Sequence, residues 1–291
     1  MTAQKIIHIS DLHIGKSDDE AENLTRISNS LVEKYKNEKD NVSIVITGDL
    51  VDDGQKKQNN HAKACMKNMT KTFGNIMYLP GNHDYGWNGN YAKARKFKHF
   101  KSTFYGLKNI SFPIIEDTWG GNIFIGLNSM YAEHDGIDGI LADGELGVKQ
   151  LEILSSVLDK TDDRNTNTKV IVALHHHPFI FPGTHKTMKI AEKIGFWLKD
   201  GEAFMRIISD RVDVLLFGHQ HDHLNFSKTA LSGKYKIPTI LSCGKTTDIS
   251  GKEFGMTKSG KIKKDTVLAT GRLAWEITCK GANVKAKTIT L

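Results

Sequence analysis

The chain has 291 residues, 39% of them hydrophobic and 25% charged, with a formal charge of +7. That balance excludes a disordered chain, and three scattered cysteines exclude a disulfide scaffold. No apolar run approaches the ~20 residues of a membrane span. The positive excess favours anionic partners, though it is modest for this size.

The predicted elements alternate. Residues 5–9 read as a strand, and 21–36 as a helix with Leu24, Ile27, Leu31 and Tyr35 at helical spacing. Residues 42–46 are an apolar, β-branched strand, 61–73 a helix, 76–79 a short strand and 91–104 a helix. Residues 123–127 form a strand, 148–158 a helix and 161–168 a polar surface loop. Residues 170–174 and 214–217 have strand length and composition. After residue 222, stretches 238–243, 268–278 and 284–291 read as consecutive strands without helices. The expectation is an α/β chain with a largely parallel sheet, then antiparallel β, folded as a single domain over residues 1–291. The N-terminus enters an apolar strand with no signal-peptide pattern, so the expected location is cytoplasmic.

Five polar clusters each follow a strand directly. They are Asp11-Leu12-His13, Gly48-Asp49-Leu50-Val51-Asp52, Gly81-Asn82-His83-Asp84, His175-His176-His177-Pro178 and Gly218-His219-Gln220-His221. Taken singly, a Gly-Asp after a strand is an ordinary turn, and a lone histidine is more often core or surface than ligand. Taken together they point to one pocket, because ligands bind beyond the carboxyl ends of parallel strands. Asp oxygens and His nitrogens suit Mn2+, Fe2+ or Zn2+ better than Ca2+. With no cysteine near, a structural zinc site is disfavoured.

In this order the five clusters resemble the calcineurin-like metallophosphoesterases, over residues 6–224. Within that family, His176-His177-Pro178, and more weakly Gly144-Glu145-Leu146 with Gln150, are most similar to the bacterial class III cyclic-nucleotide and glycerophosphodiester phosphodiesterases. The resemblance implies a four-layer α/β/β/α sandwich with two central mixed sheets. It also implies two divalent metal ions. Asp11, His13 and His221 would hold the first, Asn82, His176 and His219 the second, and Asp49 would bridge both. Aligning on His-His-Pro selects His176, and strand alternation then points His175 and His177 elsewhere.

The expected activity is hydrolysis of a phosphate ester, a small-molecule diester such as a cyclic nucleotide, by hydroxide bridging the two metals. His83 is the candidate general acid, with Asp84 orienting its ring, and Asp52 supports a histidine. The alternatives are a nuclease or phosphomonoesterase of the same fold, and a non-catalytic interaction protein. The basic segment 92–108, with Phe97, Phe100 and Phe104 at helical spacing, reads as an amphipathic helix ahead of a nucleic-acid surface. Residues 258–264, with four lysines, read as a mobile loop. Phe179, Phe181 and His185 are candidate pocket walls.

Overall fold

The computed structural model describes residues 3–86, 94–106, 110–130, 143–181 and 197–291. Strands β1 (Gln4–Ile9), β2 (Val42–Thr47) and β3 (Asn75–Leu79) run parallel. Two late strands, β12 (Leu273–Lys280) and β13 (Asn283–Thr290), add antiparallel beside β1, in the order β13-β12-β1-β2-β3.

A second sheet contains β4 (Ile114–Glu116), β5 (Ile123–Gly126), β6 (Val170–Ala173), β7 (Val214–Phe217), β8 (Leu224–Asn225) and β9 (Thr239–Ser242). Its order is β4-β5-β6-β7-β9-β8, with β5, β6, β7 and β9 parallel. A separate hairpin joins β10 (Lys252–Met256) to β11 (Ile262–Thr270).

Side-chain alternation along the central strands builds three apolar layers. Ile7, Ile9, Ile44 and Ile46 face the helices α1 (Asp18–Tyr35), α2 (Lys56–Cys65), α3 (Lys67–Thr72) and α5 (Ala94–Phe104). Ile6, Val45, Ile171, Ala173, Val214 and Leu216 meet between the sheets. Val170, Val172, Leu215 and Phe217 pack under α6 (Val148–Asp159) and α7 (Gly201–Ile208). The result is the four-layer α/β/β/α sandwich, with a single helical turn, α4 (Asn82–Tyr85), directly after β3. α1 begins three residues before the expected start, because Ser17 and Glu20 form a capping box there, and Leu24, Ile27, Leu31 and Tyr35 are buried as expected.

The largest departures from expectation lie in the last quarter. A six-residue helix, α8 (Ala230–Tyr235), precedes β9, and β9 runs parallel to β7 rather than in an antiparallel run. Six residues are too few to display a helical period, and strand direction is set by distant partners. The lysine stretch is partly strand, because Ile262 and Met256 pack on the second sheet's core and pin the hairpin. The helix expected over 61–73 divides into α2 and α3. Residues 92–93 and 107–108 of the basic segment lie outside the described residues. Among the described residues, no helix is long and apolar enough to cross a membrane.

Candidate metal centre

The carboxyl ends of β1, β2 and β3 face those of β6 and β7 across the gap between the sheets. Asp11 N–H donates to the Gly48 carbonyl (3.1 Å) and His13 N–H to the Asp49 carbonyl (2.9 Å), so the first two clusters are laced together. Asp11 in turn accepts the His219 N–H at 3.1 Å, which ties in a cluster 208 residues away.

Seven described non-glycine residues have φ in the left-handed region. Five are expected ligands: Asp11 (54°), His13 (48°), Asp49 (49°), His219 (76°) and His221 (57°). Such backbone costs ~1–3 kcal/mol per residue and persists where the surroundings over-determine it, as at functional sites. Close approach explains two glycines. A Cβ on Gly81 would lie 2.2 Å from Asp49 Oδ1, and one on Gly218 would lie 1.9 Å from Ser10 Oγ and 2.5 Å from Asp11 Oδ2.

Two donor groups result. In the first, His13 Nε2 lies 2.9 Å from His221 Nε2 and 3.7 Å from Asp49 Oδ2, and His221 Nε2 lies 3.4 Å from Asp11 Oδ1. In the second, His175 Nε2 lies 3.1 Å from Asn82 Oδ1, 3.3 Å from Asp49 Oδ2 and 3.2 Å from His219 Nδ1. Donors at ~2.1 Å from one ion stand about 3.0–3.4 Å apart at tetrahedral or octahedral angles, so the spacing and the N/O chemistry fit a metal pair. Asp49 belongs to both groups.

The tautomers support this. His175 Nδ1 lies 2.7 Å from the Thr47 carbonyl, which can only accept, so Nδ1 carries the proton and Nε2 offers its lone pair. His13 Nδ1 likewise faces Asp52 Oδ1 at 3.3 Å, the supporting part expected of Asp52. Burial opposes charge on Asp49, yet the imidazoles of His175 and His83 hold its carboxyl well below the ordinary range. Burial also opposes charge on His175, but Asp49 and Asp11 push it up to about 9. The centre therefore concentrates anionic oxygen in a buried place, which favours cations.

Three expectations are corrected. His175 does not point away: it meets Asn82 and Asp49. β6 ends at Ala173, and His175 sits in the bend beyond it, where strand alternation no longer applies. His176 joins His175 and His219 in one cluster, with its Nδ1 2.7 Å from Ser129 Oγ. Ser129 is held there by Gln150, whose side chain bonds both backbone groups of Asn128. His177 turns away as expected and packs on Phe217.

Asp84 does not touch the His83 ring. It accepts N–H groups from Gly81 (2.9 Å), Val51 (3.2 Å) and Leu50 (3.3 Å), and so holds the β2 and β3 exits together. Burial and the nearby Asp49 raise its carboxyl to about 8. The ring of His83 is oriented by Asp52 instead, with Nδ1 2.8 Å from the Asp52 carbonyl. Its backbone N–H donates to Asp49 Oδ1 at 2.9 Å.

Phe179 and Phe181 are buried in the second sheet's core rather than lining the centre, and His185 lies outside the described residues. On α5, Phe100 is fully buried and Phe97 and Phe104 pack on the same core, as an amphipathic helix requires. Lys101 lies over the Phe97 ring at 5.2 Å, and the Lys96 ammonium is held by the Asp53 carbonyl.

Fold and site together define an α/β/β/α sandwich that gathers Asp, Asn and His side chains able to hold metal ions at one edge. The sequence profile of the calcineurin-like phosphoesterases matches residues 4–223, and the chain belongs to that family. Comparison with curated proteins finds no match. Among solved structures, purple acid phosphatase PPD1 from yellow lupin (Lupinus luteus) seeds aligns over 99% of this chain and 52% of its own, at 11% identity and a TM-score of 0.60. GAP50, the anchor in the inner membrane complex of Plasmodium, aligns over 100% of this chain and 85% of its own, at 13% identity and a TM-score of 0.59. At such identities the likeness is one of fold, and the chain spans about half the length of the lupin phosphatase, 52%.

Proposed function

We propose that the protein hydrolyses phosphate diesters of a small molecule such as a cyclic nucleotide. Asp11, His13 and His221 hold one divalent ion, Mn2+, Fe2+ or Zn2+. Asn82, His175 and His219 hold a second, with His176 beside them, and Asp49 serves both. The observation that carries this reading is the shared carboxylate: Asp49 Oδ2 lies 3.7 Å from His13 Nε2 and 3.3 Å from His175 Nε2.

Two bound ions supply charge neutralisation at the phosphoryl oxygens and a water acidic enough to attack at neutral pH. The chain's own groups do the rest. Asn82 brings oxygen without charge, which keeps the centre electrophilic. His83 has Nδ1–H committed to the Asp52 carbonyl, so its Nε2 is the atom that exchanges a proton. When protonated there, it donates to the departing alkoxide, which leaves poorly without a proton. That suits a diester of an ordinary alcohol. The engagement of Lys96 and Lys101 within the protein speaks against a nucleic-acid surface along α5. GAP50 is described as an anchor, so fold alone does not imply catalysis; the two complete donor groups favour it here.

The test is a substrate panel on Mn2+-reconstituted protein: cyclic nucleotides, glycerophosphodiesters, aryl mono- and diesters, and oligonucleotides. We expect small diesters to be cut fastest. Faster cleavage of an aryl monoester would make it a phosphomonoesterase, and salt-sensitive cutting of single-stranded DNA a nuclease. Failure to bind metal would end the hydrolase reading.

A further inference from the structure

A sixth strand ends at the same edge and brings a charged residue that the five motifs do not include. β9 runs parallel to β7, and the segment after it crosses to the first sheet. Thr246 N–H donates to the Ser10 carbonyl and Ser10 N–H to Thr246 Oγ1, both at 3.0 Å. Thr247 Oγ1 donates to the Leu12 carbonyl at 3.2 Å, between the candidate ligands Asp11 and His13. Lys245 is thereby carried to the rim of the centre: a Cβ on its neighbour Gly244 would lie 2.8 Å from the His221 carbonyl oxygen. Its side chain is 16% exposed, with Nζ 2.8 Å from Glu20 Oε1, itself 11% exposed.

This pair lines a groove of about 560 Å³ whose walls are the first turns of α1, residues 245–249 and Arg272. Among the described residues, four carboxylates and three cationic side chains line it, and Ile249 is its single apolar wall. Opposite charges nearly cancel, so a second strongly anionic group gains little here. With no aromatic side chain among the described lining residues, an aromatic base finds no stacking platform there. A largely buried ion pair is weak evidence of a purely stabilising role. An ammonium spends one N–H on Glu20 and keeps two to donate, while the carboxylate keeps lone pairs to accept. Adjacent hydroxyls match that donor–acceptor pair.

We propose that Lys245, held by Glu20, is a specificity-determining residue that hydrogen-bonds the hydroxyl-rich alcohol fragment of the substrate, which occupies this groove while the phosphate sits at the metal centre. This rests on the phosphoesterase reading and deepens it.

Two probes share a scissile bond, charge and leaving group: 4-nitrophenyl 2,3-dihydroxypropyl phosphate and 4-nitrophenyl propyl phosphate. The metal-loaded wild type should prefer the dihydroxypropyl ester in kcat/KM by about tenfold or more, mainly through KM, the size expected of a hydrogen bond to a charged group. Lys245→Met should abolish the preference and Lys245→Arg should keep most of it, with metal content and melting temperature checked in each. Equal rates on the two esters in the wild type would overturn the inference alone, whether or not the variants fold. So would a preference that survives in folded Lys245→Met. Hydrolysis of neither ester by protein carrying its ions would overturn the phosphoesterase reading and this inference with it.

Discussion

The ring of His175 is gripped by the exit of β2 at both nitrogens: Nδ1 lies 2.7 Å from the Thr47 carbonyl and Nε2 lies 3.3 Å from Asp49 Oδ2. One short segment, Thr47 to Asp49, thus sets both the tautomer and the aim of an imidazole 128 residues further along the chain. Removing that imidazole should unmake the second ion site. In His175→Ala, elemental analysis should show about one ion per chain where the wild type holds about two, and ion affinity should fall by more than the ~100-fold that a supporting partner is worth. His176→Ala, which leaves the contacts to Asn82 and Asp49 intact, should keep both ions. The reverse pattern would return the assignment to His176.

His83 should separate chemistry from metal binding. His83→Ala is expected to lower kcat by about 10²–10⁴-fold, the usual worth of a general acid, with ion content unchanged. Loss of both ions in that variant would show that it acts through the centre rather than on the substrate.

Asp52 serves two histidines, His13 through its carboxylate and His83 through its backbone carbonyl. With its carboxylate 3.3 Å from His13 Nδ1, Asp52→Ala should weaken ion affinity by about 10–100-fold, read by competition with a chelator.

Asp84 should behave as a structural residue. Asp84→Ala leaves the buried N–H groups of Leu50, Val51 and Gly81 without their acceptor, at about 1–3 kcal/mol each where no water replaces it. Urea unfolding should register a loss of about 3 kcal/mol or more. A variant of wild-type stability with normal turnover would remove this role.

A pH effect is expected far from the site. Burial alone would raise the Glu276 carboxyl, but the Tyr35 hydroxyl and the Lys287 ammonium, 2.9 Å away, hold it below its ordinary value. A depressed carboxylate adds stability above its unfolded pKa of ~4.3 and loses it as pH falls through the lower folded value. Glu276→Gln should therefore cost about 1 kcal/mol at pH 7, and the two unfolding curves should converge below about pH 4. A constant gap across that range would show that shape, not charge, is what the residue contributes.

Much of this was legible in the sequence because it is local. The apolar runs at Val42–Thr47 and Val214–Phe217 and the Asp, Asn and His clusters at strand ends all act within a few residues. Gly81 and Gly218 could be singled out for close approach by their place between strand and cluster, though not for the oxygens they approach. What could not be read was whatever depends on a partner far along the chain. The short α8 and the parallel direction of β9 are of this kind, and so is the arrival of Lys245 at the rim.

By itself, then, the sequence determined which side chains were available for chemistry and in what order strands would deliver them, since composition and periodicity act over one or two turns of chain. Only the tertiary structure decided which nitrogen of three consecutive histidines meets Asp49, and which acidic residue steers His83. Both are settled by where a bend after β6 and the loops after β2 and β3 come to rest against each other. The Thr47 and Asp52 carbonyls, both at the exit of β2, fix those rings, and no sequence spacing records that contact.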